Sequence, residues 1–183
     1  MKRNLFTILF ITLFSISAFA QEFEKGDKVL NLGIGFGSTL YTGSYYTSSL
    51  PPISGSFEVG ILDDVLEEGS IGVGGYVGFS RYKYEYLDWG YKYSNFIIGG
   101  RGVFHYPLLD KLDTYTGILL GFRVISAKEF GNQLIGWNYN ASSSGLVGSW
   151  YVGGRYYFSD NIAAMLELGY GISYLNLGIA LKL

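Results

Sequence analysis

The feature that most constrains this chain is the alternation of its last nine residues, 175–183. They read Leu-Asn-Leu-Gly-Ile-Ala-Leu-Lys-Leu, so every second residue is a large aliphatic one. The residues between are small, polar or charged. Successive side chains of a β-strand point to opposite faces of the sheet, so this pattern predicts a strand whose two faces meet different surroundings.

The same alternation recurs along the chain and predicts eight strands, each near the 9–11 residues that a tilted membrane-spanning strand needs. In the first strand, Leu32 and Ile34 face one way while Gly33 and Gly35 face the other. No long helical pattern is present. The predicted strands are 28–37, 53–62, 70–82, 93–106, 113–125, 146–158, 162–171 and 174–183.

One face of these strands is uniformly apolar, whereas the other carries Gly, Ser, Tyr and a few charges. This division favours an eight-stranded antiparallel transmembrane β-barrel with its apolar face in lipid and its polar face in a narrow lumen. The competing interpretation is a soluble, lipocalin-like barrel, which turns its apolar face inward around a ligand. The small and polar residues of the second face suit a narrow wet core better than an apolar ligand cavity.

The N-terminus has the three parts of a secretory signal peptide, which we place at residues 1–20. Lys2 and Arg3 form a positive region, an apolar stretch follows, and Ala18-Phe19-Ala20 precedes Gln21 as a cleavage site. An uncleaved membrane anchor is the alternative, although the apolar stretch is short for a span. Loss of these residues changes the formal charge of −2 to −4, so no basic patch for nucleic acid is indicated. We take residues 21–183 as a single barrel domain.

The connections between the predicted strands alternate in length. Short turns rich in turn-forming residues lie at 63–69, 107–111 and 159–161, and longer aromatic-rich segments lie at 38–52, 83–92 and 126–145. Short periplasmic turns and longer extracellular loops are typical of outer-membrane barrels. Aromatic residues cluster where strands meet these connections, which predicts girdles at the membrane interfaces. They are Tyr82, Tyr84, Tyr86, Trp89, Tyr91 and Tyr93 at one end, and Tyr106, Tyr156 and Phe158 at the other.

Four stretches resemble the small eight-stranded outer-membrane barrels of the OmpX and OmpA-transmembrane-domain type, and most of all those of Bacteroidetes. They are residues 51–58, 98–105 and 153–158 and the last strand. The resemblance implies a bacterial outer-membrane location and no cofactor. It also implies contact with outer-membrane lipid and lipopolysaccharide, and with the barrel-assembly machinery and periplasmic chaperones during biogenesis.

Alternation places several charged residues on the inward face. Glu58, Arg101, Arg155 and Glu167 lie at similar distances from the predicted periplasmic turns, so we expect them to share one level of the lumen. An isolated charge in a low-dielectric core is very costly, and Arg can fork onto carboxylates. Arg123 is expected at the outer rim, while Lys182 is expected at the inner rim.

These charges support two hypotheses. The first is a salt-bridged plug of a narrow interior, with Tyr76, Tyr151 and Tyr157 as hydrogen-bonding partners. The second is the selectivity constriction of a small pore for ions or small solutes. Either would leave the protein without catalytic or metal-binding residues.

A lipid-modifying enzyme is the least favoured hypothesis. His105 is the one histidine, and no serine follows two residues later, so a nucleophile–base pair is not indicated. We expect it to be structural or interfacial. The glycines near Gly35 and Gly74 resemble phosphate loops, but no helix follows them.

The longest connection, 126–145, carries the aromatic residues Phe130, Trp137 and Tyr139. Exposed loops on a rigid scaffold are where binding functions are grafted, so these three form a possible surface-binding loop. The alternative is a loop shaped only by lipopolysaccharide and the aqueous surface. The sequence does not name a ligand.

Overall fold

The computed structural model describes residues 23–37, 46–86, 89–131 and 140–183. The predicted signal peptide, residues 1–20, lies outside this part of the chain. Within it, no helix is long and apolar enough to cross a membrane.

The described residues form one closed antiparallel barrel in which each strand pairs with its neighbours in chain order and β8 returns to β1. This confirms the predicted eight-stranded meander. The strands are β1 Lys28–Phe36, β2 Tyr46–Val65, β3 Gly69–Tyr86, β4 Trp89–Leu109, β5 Leu112–Gly131, β6 Asn140–Tyr157, β7 Ile162–Tyr170 and β8 Leu175–Lys182.

The barrel turns most of its polar and small residues inward and most of its large apolar residues outward, although an apolar cluster that includes Ile97, Val103 and Leu119 also lies inside. In β7, Ala163, Met165 and Glu167 are buried, whereas Leu166 and Leu168 are 45% and 49% exposed. Successive residues of a strand point to opposite faces, so this division runs along the whole ring. Large aliphatic and aromatic side chains are exposed around the whole outside of the barrel. Such an extended apolar surface indicates that the surroundings of the barrel are apolar as well.

The strands differ strongly in length, which corrects part of the predicted organisation. Strands β2 to β6 have 18–21 residues, whereas β1, β7 and β8 have 8 or 9. Much of the sequence assigned to the loops at 38–52, 83–92 and 126–145 is therefore strand. The pairing of β3 with β4 continues without a break to Tyr86 and Trp89. At that end these strands extend well beyond the short strands β1, β7 and β8. We call this the long-strand end and the opposite one the short-turn end.

The predicted aromatic girdle at the long-strand end is wrong in its orientation. Tyr82 is 5% exposed and lies on the inward face of β3, where it pairs with Tyr93 of β4. The other four aromatic residues predicted for this girdle lie on the same face of the sheet as Tyr82 and Tyr93. They form the cross-strand pairs Tyr84–Tyr91 and Tyr86–Trp89. At the short-turn end, Tyr156 and Phe158 are exposed on the outside, as a girdle requires.

A short segment before β1 covers the short-turn end of the lumen. Phe23 is 5% exposed and stacks on the imidazole of His105, with 4.1 Å between the ring centroids. The segment is held by backbone hydrogen bonds from Gly26 to Gly60 and from Gly60 to Asp27, each 3.0 Å long. A Cβ on Gly60 would lie 2.0 Å from the carbonyl oxygen of Glu24, so only glycine permits this approach.

The outward face gives the first prediction. Leu120, near the middle of β5, is 68% exposed, and Leu66 in the β2–β3 turn is 75% exposed. We expect Leu120→Arg to lower the free energy of unfolding by about 2–4 kcal/mol, because arginine is costly at the bilayer midplane. Leu66→Arg, the matched control in an aqueous turn, should change it by less than about 0.5 kcal/mol.

The measurement is reversible denaturant unfolding of the barrel in phospholipid vesicles, followed by tryptophan fluorescence. Equal, small effects of the two substitutions would contradict a lipid-facing surface. They would favour the soluble barrel instead.

Candidate functional site

The inward charges of the barrel form two clusters near the short-turn end. The first surrounds Arg155 of β6, whose guanidinium is completely buried. Its Nη1 donates to Asp113 Oδ2 at 2.9 Å, its Nη2 donates to Glu58 Oε2 at 2.6 Å, and its Nε donates to Asn31 Oδ1 at 3.0 Å. All three nitrogens of the guanidinium are therefore used.

His105 belongs to the same cluster and joins its two carboxylates. Its Nδ1 lies 2.7 Å from Asp113 Oδ1 and its Nε2 lies 2.5 Å from Glu58 Oε1. A doubly protonated imidazolium donates to both carboxylates, whereas a neutral ring would place a lone pair against one of them. The expectation that His105 could be interfacial is thus wrong, because the side chain is 2% exposed and fully enclosed.

The second cluster surrounds Arg101 of β4. Its Nη2 donates to Glu167 Oε1 at 2.6 Å, its Nη1 to Ser56 Oγ at 3.0 Å and its Nε to the hydroxyl of Tyr151 at 2.6 Å. The hydroxyl of Tyr115 donates to the same Glu167 oxygen at 3.0 Å. This guanidinium, like the first, uses every nitrogen.

The clusters are linked, so we call the whole the lumen network. Asn31 accepts from Arg155 and donates from Nδ2 to Ser56 Oγ, 3.1 Å away, which in turn accepts from Arg101. Each guanidinium also lies over a tyrosine ring, Arg101 at 4.1 Å from Tyr151 and Arg155 at 4.6 Å from Tyr115. Within the described residues the network contains three carboxylates, two guanidiniums and the imidazole, so an imidazolium balances the charge.

The structure brings the four sequence-predicted lumen charges into this network. Glu58 and Arg155 meet in one cluster and Arg101 and Glu167 in the other, and Ser56 links the two. The remaining predicted residues lie apart from it. Arg123 is half-buried on the inward face farther toward the long-strand end, and Lys182 pairs with Asp27 at 2.7 Å.

Of the three tyrosines predicted to hydrogen-bond the lumen charges, two lie at or near the network and one lies apart from it. Tyr151 belongs to the network, and Tyr76 lies 6.0 Å from the Arg101 guanidinium. Tyr157 packs instead with Phe23, Val29 and two alanines at the short-turn end.

Sequence reasoning missed Asp113 and Tyr115, and it did not place His105 among the charges. A signal was present, since Asp113 opens the predicted fifth strand on the same face as Tyr115. The register then sets Asp113 directly opposite Arg155. That pairing depends on the alignment of β5 with β6, which alternation within one strand does not give.

Of the predicted surface-binding residues, the structure describes one. Phe130 is not in a loop but near the end of β5, where the ammonium groups of Lys83 and Lys92 lie 4.6 Å and 5.2 Å from its ring centroid. Trp137 and Tyr139 lie outside the described residues.

A small cavity of about 50 Å³ adjoins the network on its long-strand side. That space is large enough for several water molecules. Its wall includes Arg101, Tyr76, Ser149 and Asn176. In the described residues, no group of three or more His, Cys, Asp or Glu side chains could hold a metal ion.

Comparison with known proteins gives structural relatives only. No family model matches the sequence, and a search of curated proteins gave no match. Ail, the attachment invasion locus protein of Yersinia pestis, crystallised with the heparin analogue sucrose octasulfate, has a TM-score of 0.52 and 14% identity, covering 86% of this chain and 95% of that one. A second Ail structure has a TM-score of 0.49 and 12% identity, with the same coverage.

The N-terminal β-barrel domain of Pseudomonas aeruginosa OprF has a TM-score of 0.43 and 14% identity, covering 87% of this chain and 98% of that domain. The first Ail structure is similar enough to show a shared fold. The chain therefore has the fold of the small eight-stranded transmembrane β-barrels.

The ion pairs of the network give the second prediction. Arg101→Met leaves the Glu167 carboxylate buried without its guanidinium, and we expect a loss of about 3–5 kcal/mol in the free energy of unfolding. The double variant Arg101→Met/Glu167→Met should lose less than the single variant, since no unpaired charge remains. The matched control is Lys83→Met, which removes a partly exposed ion pair with Glu85 and should cost about 0–1 kcal/mol.

Unfolding in vesicles measures all three variants. A cost for Arg101→Met that is no larger than that for Lys83→Met would show that the lumen charges are solvated. A double variant as unstable as the single one would argue against pairing.

The third prediction concerns a glycine that makes room for a lumen side chain. A Cβ on Gly33 would lie 2.5–2.9 Å from three atoms of the Asn176 amide and would meet no other residue so closely. Gly33→Ala should therefore destabilise the barrel by about 1–3 kcal/mol, as overpacking does. In an Asn176→Ala background the same substitution should cost less than about 1 kcal/mol, and a cost that is equal in both backgrounds would contradict the steric explanation.

Proposed function

We propose that this chain is a small integral outer-membrane β-barrel with a structural or surface-interaction role and no catalytic one. It would be exported through a signal peptide of residues 1–20 that is then cleaved. Its partners would be outer-membrane lipid and lipopolysaccharide, with the barrel-assembly machinery and periplasmic chaperones acting during biogenesis. The outward apolar face and the Ail-like fold support this location, and the short-turn end would then be periplasmic.

The observation that carries the rest of the proposal is the lumen network. Six strands contribute to it, namely β1, β2, β4, β5, β6 and β7, so its side chains reach across the interior from nearly every side. An eight-stranded barrel has an interior just wide enough for side chains to fill. The network is therefore proposed to act as a plug, with Phe23 as a further cover on the periplasmic side.

A conducting pore is supported less well by the same contacts. Both guanidiniums bond to protein partners through all three of their nitrogens and pair with carboxylates, so their positive charge is already matched within the protein.

A hydrolytic role for His105 is also poorly supported. A general base needs a free ring nitrogen within reach of the proton that it accepts. Both nitrogens of His105 face carboxylates, and Phe23 covers the ring.

The lumen residues support neither conduction nor catalysis. We therefore place the function of the protein in the strands that extend beyond the membrane. Strands β2 to β6 have 18–21 residues, which is long enough to extend well past the apolar band. Ail shares this fold, and one of its crystal structures is a complex with the heparin analogue sucrose octasulfate. By analogy with that complex, we propose that the present chain also interacts with partners at its exposed surface.

The fourth prediction tests the plug by electrical recording. The full chain, expressed with its own leader and purified from outer membranes, should insert in a planar bilayer without producing conductance steps. Arg101→Ala/Glu167→Ala/Tyr151→Ala removes three side chains from one cluster and should produce measurable steps. The matched control, Arg81→Ala/Glu85→Ala/Tyr86→Ala, makes the same truncations near the end of β3 and should stay silent.

A heat-dependent shift in gel mobility shows that each variant is folded. Reproducible steps from the unmodified protein would overturn the plug and favour the pore. Failure of the folded protein to insert into bilayers would overturn the membrane location itself.

A further inference from the structure

The turn between β7 and β8, residues 171–174, folds into the lumen instead of standing at the rim, and we call it the inner turn. The pairing of β7 with β6 ends at Tyr170, and the pairing of β8 with β1 begins at Leu175. Between them, Ile172 is 7% exposed. An apolar turn residue in contact with water is far more exposed, as Leu66 in the β2–β3 turn shows at 75%. The inner turn is therefore buried by the barrel itself.

The side chain of Ile172 reaches across the lumen. Strands β3 and β7 are four strands apart in a ring of eight, so they face each other across the interior. A Cβ on Gly78 of β3 would nonetheless lie 3.1 Å from Cδ1 of Ile172. The same side chain belongs to an apolar cluster that includes Ile97, Leu119 and Tyr151. A single residue of the inner turn thus fills the lumen between opposite walls.

Glycine stands at three contacts between the inner turn and these walls. A Cβ on Gly171 would lie 2.7 Å from Ser149 Oγ of β6, and a Cβ on Gly35 of β1 would lie 2.5 Å from Ser173 Oγ. Packed atoms do not approach so closely, so a side chain at either glycine would displace the inner turn. With Gly78, these contacts seat the inner turn against β1, β3 and β6.

The cavity that adjoins the lumen network lies between the network and the inner turn. Ile172 and Ser173 belong to its wall on the long-strand side, and Arg101, Tyr151 and Glu167 belong to its wall on the network side. The lumen therefore contains two barriers in series. One is made of paired charges, and the other is an apolar constriction of the kind that blocks water and ions.

The two barriers are held in different ways. The side chains of the network project from paired strands and make charge-assisted hydrogen bonds. The inner turn lies beyond the last ladder pairs of β7 and β8, and the aliphatic side chain of Ile172 has only apolar contact to hold it. Segments outside a ladder open at a lower free energy than the strands beside them. The inner turn can therefore move without opening the barrel wall.

We propose that the inner turn is a lid on the lumen, with Ile172 as its seal. When the lid lifts, small solutes enter the cavity from the long-strand end, while the network stays closed beneath them. The cavity is then a dead-end chamber that is shut toward the short-turn end. The lid is additional to the proposed plug, and only its orientation toward the cell exterior rests on the proposed function.

The fifth prediction uses the absence of cysteine from the sequence. Leu119→Cys places a single thiol in the cavity wall, where the native side chain is 6% exposed. The full chain, purified from outer membranes into detergent, is treated with a methanethiosulfonate reagent that carries a trimethylammonium group, and mass spectrometry follows the modification. Adding Ile172→Ala should raise the modification rate at least about tenfold, because the lid loses its seal. The matched control, Ile162→Ala, truncates an outward side chain at the other end of β7 and should change the rate less than about twofold.

A disulfide tests the movement itself. The Cβ of a residue at position 171 would lie 3.3 Å from the Cβ of Ser149, close to the separation of about 3.5–4.5 Å in disulfides. Ser149→Cys/Gly171→Cys should therefore lock the lid to β6. The background is the triple variant of the fourth prediction, which should conduct whenever the lid opens. Conductance steps should be absent while the disulfide is intact and at least about tenfold more frequent after reduction, and the same reductant should leave the cysteine-free triple variant unchanged.

The outcomes separate the lid from the plug. Equal modification rates with and without Ile172→Ala would show that the inner turn seals nothing. Steps that continue while the disulfide is intact would overturn the lid and leave the plug standing, whereas steps from the unmodified protein would overturn the plug. If the triple background does not fold, the labelling experiment decides alone, since it keeps the network intact.

Discussion

The need to neutralise charge inside a narrow barrel governs the interior of this protein. A guanidinium removed from water is stabilised only when its donors find acceptors and its charge finds a carboxylate. Arg101 and Arg155 meet that condition with all three of their nitrogens. Around them, the interior is arranged to make room. Gly117 lies where a Cβ would touch the Tyr151 hydroxyl, and Gly72 lies where one would touch Glu58.

The outer surface follows a different rule from the lumen. Large aliphatic side chains cover it in a band, and the band ends in polar rows at the long-strand end. Because five strands continue past the band and three do not, one side of the barrel rises as a sheet beyond the rim. The two faces of that sheet differ, with paired aromatic residues inside and lysines outside.

The alternation of apolar and polar residues along the sequence predicted the fold well, but it predicted contacts between side chains of different strands poorly. Period-two alternation in segments such as 28–37 and 174–183 gives both a strand and the side on which each residue lies. It cannot give a partner on another strand, because that depends on register around the ring; this is why Asp113 and the pairing of His105 were missed. Aromatic clusters were misassigned for a related reason. Their positions in the sequence predict that Tyr82 and Tyr93 belong to an outward girdle beside a loop, whereas the continued pairing of β3 with β4 turns both side chains inward.

The long sequence separation within the lumen network has a consequence for how the molecule assembles. The partners of Arg155 lie 42, 97 and 124 residues away along the chain. No single hairpin, and no run of strands short of β1 through β6, contains the complete set. A partly built sheet would therefore hold an unmatched guanidinium in a dry environment, which makes such intermediates costly. The barrel should consequently close in one concerted event, with the N-terminal strands still available when the sixth strand arrives.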